Sequence, residues 1–116
     1  MDERLTRALE FANYKQTLYL EKKRLQEKLK ADLTFAFNGG IFNADRNFIV
    51  FLNLLVPEEG TSSTSILDDR LTPIYVDNIK EFQEIALKTY SQAVNRYQLE
   101  FDLLKKKRSV QAVVDL

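Results

Sequence analysis

Residues 33–56, LTFAFNGGIFNADRNFIVFLNLLV, hold five of the eight Phe of the chain and lie between two long segments that contain neither Gly nor Pro. Any fold must find cover for those rings, so this run constrains the architecture more than any other. Its aromatic and β-branched content predicts a β-hairpin over 33–56. Folded about Ala44-Asp45-Arg46-Asn47, it sets Phe42 opposite Ile49, Gly40 opposite Phe51, Asn38 opposite Asn53 and Phe37 opposite Leu54. Gly39-Gly40 then marks a bulge or a close backbone approach. Two alternatives stay open. Asn38-Gly39 is itself a hairpin-turn signal, and using it leaves only 40–43 for the second strand. Asp45 can instead cap a short buried helix through Val56, because periodicity does not separate strand from helix in so apolar a run.

The flanking segments read as helices over 2–31 and 77–108. In the first, Asp2 can cap, and Phe11, Tyr14, Leu18, Leu25 and Leu29 fall on one stripe at 100° per residue, with Leu9 and Leu20 on the other side. In the second, Asp77 is the expected cap. Ile79, Phe82, Ala86, Tyr90, Ala93, Tyr97, Phe101 and Leu104 recur at spacings of three and four, a pattern that suits a long helix laid along a partner. Ile85, Leu99 and Leu103 form a thinner line behind it.

Between hairpin and second helix, 57–73 opens on Pro57, which ends the apolar run. It continues through a small, polar Ser/Thr-rich stretch that reads as a flexible surface loop. Residues 66–71 suggest one helical turn, and Thr72–Val76 is extended, giving the hairpin a short third strand. Asp68-Asp69 has no further ligand spacing around it, so it reads as an ordinary acidic pair and not as a metal site.

At 116 residues the chain reads as one domain. It has no Cys, which removes disulfides and thiolate chemistry, and no His, which removes the commonest general base and metal ligand. No pair of carboxylates, Lys, Tyr or Ser sits on a spacing that reads as a catalytic site, and Gly39-Gly40 lacks the Lys and further Gly of a phosphate loop. The expectation is a non-enzymatic protein with no cofactor and no metal. No segment is apolar for the roughly 20 residues a spanning helix needs, and the amino terminus is charged, so a soluble cytoplasmic protein without membrane contact is expected.

Seventeen basic and seventeen acidic residues cancel overall. The local exceptions are Lys22, Lys23 and Arg24 with Lys28 and Lys30, and the quartet Lys105, Lys106, Lys107 and Arg108. Both are candidates for nucleic-acid contact. Helices packed antiparallel over their whole length would set each basic end against the acidic start of the other, and so neutralise both. Residues 109–116 turn apolar and β-branched, which suits a docking strand. Gln111, Val114 and Leu116 also resemble the Gln-x-x-aliphatic-x-Leu peptides that bind replication sliding clamps, with Val where Leu is usual.

The resulting fold class is α+β, mainly α: two long antiparallel helices, a coiled-coil hairpin joined by a β-hairpin insert. This order of elements resembles the beta class of prefoldin subunits. The resemblance implies tip hairpins that join subunits and rod ends that hold non-native clients. The chain departs from that family in its Phe-rich insert, its Ser/Thr loop and its lack of regular Leu/Gln/Lys heptads, so none of the family's client-binding residues is placed here. The His- and Cys-free build, with a lysine run ahead of a short apolar tail, also looks like that of small proteins of large tailed bacteriophages, which implies action in the host cytoplasm. Two functions are expected. The first is a protein-interaction scaffold, assembly factor or chaperone-like adaptor. It self-associates or meets another protein through Phe35, Phe37, Phe42, Phe48 and Phe51 of the hairpin and through Ile85, Leu99 and Leu103. The alternative is a nucleic-acid or replication accessory factor using the basic segments and the tail.

Overall fold

The structure is a computed structural model that describes residues 2–114, with the side chains of residues 2–107. It is mainly helical, in the order α1 (Glu3–Asp32), β1 (Thr34–Phe37), β2 (Gly40–Asn43), α2 (Arg46–Leu55), β3 (Thr64–Leu67), β4 (Pro73–Val76) and α3 (Ile79–Val114). The α+β, mainly α class read from the sequence is the class observed. Two compact units are present, Met1–Lys28 with Arg96–Leu116, and Leu29–Asn95. Among the described residues no helix is long and apolar enough to cross a membrane.

In the unit of residues 29–95, the single hairpin expected over 33–56 is replaced by a short hairpin and a helix. β1 pairs antiparallel with β2, Phe35 facing Phe42 and Phe37 facing Gly40. Asn38 and Gly39 make the turn, with φ of 47° and 81°. These left-handed angles are what a two-residue turn needs to follow the twist of its strands, and Asn and Gly adopt them at least cost. Residues 44–47 are not a turn. Asp45 stays extended and its Oδ1 accepts the Phe48 N–H at 2.8 Å, which starts α2. The Val56 N–H closes the last turn on the Leu52 carbonyl, and Pro57 follows. Both local signals, the Asn-Gly turn and the Asp cap, therefore operate together and override the β-forming composition.

The connection also differs from expectation. Residues 64–67 are strand β3, paired with β4 through Ser65 opposite Tyr75 and Ile66 opposite Ile74. The 66–71 stretch makes no helical turn, and Thr72–Val76 adds no third strand to the first hairpin. The two sheets remain separate and two-stranded. They are tied instead by Asp68, whose Oδ2 accepts the Ile41 N–H at 3.0 Å while Oδ1 accepts the N–H groups of Arg70 and Thr72 at 2.9 Å each. The Asp69 N–H returns a bond of 2.9 Å to the Ile41 carbonyl.

Asn78, and not Asp77, caps α3, its Oδ1 accepting the Glu81 N–H at 3.2 Å. The long apolar stripe of α3 is divided between two partners. Ile79, Phe82 and Ala86 are buried in a core with Phe42, Ala44, Leu52, Ile66, Ile74 and Val76. Further along, Phe101 and Leu104 line a groove with Leu18 of α1. The helix runs on through Val114, so residues 109–114 are helical and not a docking strand; Leu116, the last position of the clamp-like pattern, lies outside the described residues.

Candidate functional site

In the unit of residues 29–95, the rings proposed to face a partner mostly face one another. Phe82 is fully buried, with its ring centroid 4.8 Å from Phe37, 5.1 Å from Phe42, 5.8 Å from Phe35 and 5.9 Å from Phe48. Tilted and edge contacts at these separations are the favoured arrangements of aromatic quadrupoles. Four of the five candidate hairpin rings are thus engaged internally, because α3 supplies the cover that a lone two-stranded sheet lacks. Phe51 is the exception. It stands on the outer side of α2 beside Val50 and Leu54, and these three are exposed at 46%, 61% and 81%. Ile85 is half-buried.

Asp68 is the one buried charged residue among those described. Its carboxyl is held below the usual range, first by the Ile41 N–H and then by the Thr72 N–H, with the Arg70 N–H and guanidinium adding to them; desolvation opposes the shift. A carboxylate so fully engaged by backbone donors is a structural tie. Its neighbour Asp69 is exposed, and among the described residues no group of three or more His, Cys, Asp or Glu is placed to hold a metal ion.

In the unit of residues 1–28 and 96–116, α1 and α3 run antiparallel, with Lys28 paired to Glu100 and Lys107 to Glu21, the latter at 3.1 Å. This register puts position 21 opposite 107 and 28 opposite 100. The basic ends therefore do not meet the acidic starts, as full-length overlap would require. Lys105 and Lys106 come level with Lys22 and Lys23, so the two basic candidate segments are brought together. The side chain of Arg108 lies outside those described. Twelve basic and eight acidic residues fall in this unit, against five and nine in the other, so a chain of zero net charge is electrically divided.

Two grooves of about 270 Å³ flank the helix pair. In one, Arg24, Lys28 and Lys107 are interleaved with Glu21 and Glu100. The other is lined by Leu18, Phe101 and Leu104 together with Lys22 and Lys105. Leu99 and Leu103 are exposed, as are Leu9 and Leu20 on α1.

No protein-family model, curated protein or solved structure matches the chain. Function is therefore read from these surfaces. Sequence reasoning missed Val50 and Leu54, whose spacing of four marks one side of a helix but was read with a period of two. It also missed Phe101 as a groove residue, since the sequence places it on the apolar stripe of α3 and does not say which stripe residues border a groove.

Proposed function

We propose that the protein is a non-enzymatic interaction protein that self-associates and serves as an oligomeric scaffold or adaptor. The observation that carries this reading is the chemistry of α2. Its sequence, RNFIVFLNLL, has no charge after Arg46, and Phe48, Ile49, Leu52 and Leu55 turn inward while Val50, Phe51 and Leu54 are left in solvent. The outer side of α2 carries Arg46, Asn47 and Asn53 as well, but Val50, Phe51 and Leu54 are large side chains left together in solvent, and a compact apolar ridge on a surface marks an association site. The ridge is uncharged and of one chemical kind, so a second copy related by a two-fold axis complements it without repulsion. Exposed Leu99 and Leu103 give further apolar surface to an assembly.

Light scattering after size exclusion at micromolar concentration tests the reading. The wild-type chain is expected to be a dimer or larger, and Phe51→Lys with Leu54→Lys to be a monomer of unchanged helicity, since both side chains are exposed in the single chain. A wild-type protein that stays monomeric overturns the proposal.

A further inference from the structure

At 100° per residue, Arg4, Phe11, Lys15, Leu18, Tyr19 and Lys22 of α1 fall within an arc of about 100°. Every acidic residue of the helix lies outside that arc: Glu3, Glu10, Glu21 and Asp32 lie to one side of it, and Glu27 lies behind. Arg4 to Lys22 spans about 27 Å of helix axis. Within the arc, cations and rings alternate. Phe11 and Tyr19 are exposed at 54% and 65%, large fractions for aromatic side chains, and the Lys15 ammonium sits 4.8 Å from the Phe11 ring centroid. The strip continues onto α3 through a groove that Lys22 shares with half-buried Phe101 and with Lys105. The groove on the opposite flank is different in kind, because Glu21 and Glu100 are threaded among its cations.

We propose that this acid-free flank of α1, with Phe101 and Lys105 of α3, binds single-stranded nucleic acid. Phosphates meet Arg4, Lys15, Lys22 and Lys105, and bases stack on the exposed rings of Phe11 and Tyr19, with half-buried Phe101 lining the groove beside them. A positively charged track set with exposed rings is the arrangement that holds unpaired strands without reading their sequence, because every base offers a π face. A duplex keeps those faces covered and would leave the rings idle. An amphipathic helix lying on a membrane would gather its apolar side chains on one face, whereas Leu5, Leu9 and Leu20 lie outside this arc. The site is separate from the α2 ridge and does not depend on it.

Fluorescence anisotropy of a labelled deoxythymidine oligonucleotide with the full chain provides the test. With four cations engaged, log K is expected to fall with log salt at a slope of about −3, so affinity drops roughly 50-fold between 50 and 200 mM salt. Lys22→Glu with Lys105→Glu is expected to abolish binding. Tyr19→Ala is expected to weaken it about tenfold without changing the salt slope, because it removes a stacking partner and no charge. The control, Lys80→Glu with Lys88→Glu in the other unit, is expected to leave binding intact. The proposal is overturned by absence of binding at 50 mM salt, by equal loss in the control, or by an unchanged affinity in Tyr19→Ala. Tighter binding of duplex than of single strand also overturns it, as does binding of phosphatidylserine vesicles in place of the oligonucleotide.

Discussion

Replacing Phe82 by Ala removes the ring on which four others converge, and the structure sets the size of the effect. The side chain is fully buried, so the loss includes both its transfer from water and the void left behind, about 3–5 kcal/mol for a buried Phe. Phe35, Phe37, Phe42 and Phe48 all lie within 5.9 Å of its ring centroid. Aromatic pairs contribute about 0.5–1.5 kcal/mol each beyond area, although contacts of one residue do not add independently. The expected loss is therefore at the upper end, about 4–5 kcal/mol. Small domains are stable by only about 5–15 kcal/mol, so this approaches the whole margin. Phe82→Leu keeps most of the apolar volume and forfeits the ring contacts, and about 1–2 kcal/mol is expected. Phe51→Ala, at the exposed ridge, is expected to cost less than about 1 kcal/mol in the monomer. Urea unfolding followed by circular dichroism, at a concentration low enough to hold the chain monomeric, measures all three. An Ala variant within about 1 kcal/mol of wild type, or an Ala and a Leu variant of equal stability, refutes the account of Phe82 as the hub.

The long helices were legible because their stripes keep one period over many turns without Gly or Pro, and no local alternative competes. The insert was not. In 33–56, residue type favours strands while two point signals, Asn38-Gly39 and Asp45, favour a short hairpin followed by a helix. β-propensity measures how well a side chain suits a pleated, half-covered surface. It carries little weight where a third element covers the rings from above, and that element, Phe82 of α3, lies some forty residues further along the chain. Asp68 was illegible as a tie for a similar reason, since its Ile41 partner sits on a strand whose position depends on the Asn38-Gly39 turn, which the sequence offers only as an alternative. The charge surface failed on register. Residue types place Lys22–Arg24 and Lys105–Lys107 on helices, but the axial offset between two helices is a property of the packed pair and is not written in either segment alone. With Glu21 paired to Lys107 and Lys28 to Glu100, the two lysine clusters arrive at one level.

Two further perturbations probe the turn that joins β3 to β4. Leu71 is exposed and has φ of 61°, a left-handed conformation that costs a Cβ-bearing residue roughly 1–2 kcal/mol and glycine little. Leu71→Gly is expected to raise stability by about 1 kcal/mol in urea unfolding despite the entropy of the added glycine, and a lower urea midpoint with unchanged slope contradicts that reading of the turn. Asp68 carries the pH dependence. Its folded-state carboxyl titrates below the unfolded one, so its contribution is complete above the unfolded value near 3.8 and is lost as pH falls through the lower, folded value. Asn in its place can still accept from Arg70 and Thr72 through one oxygen, but its amide presents a donor to the Ile41 N–H where an acceptor is required. Asp68→Asn is therefore expected to be less stable at neutral pH and to lose less stability on acidification, so that the two urea-midpoint profiles converge as the wild-type carboxylate takes up its proton. Parallel profiles for the two chains down through that range show that the three backbone donors do not hold this group in its charged form.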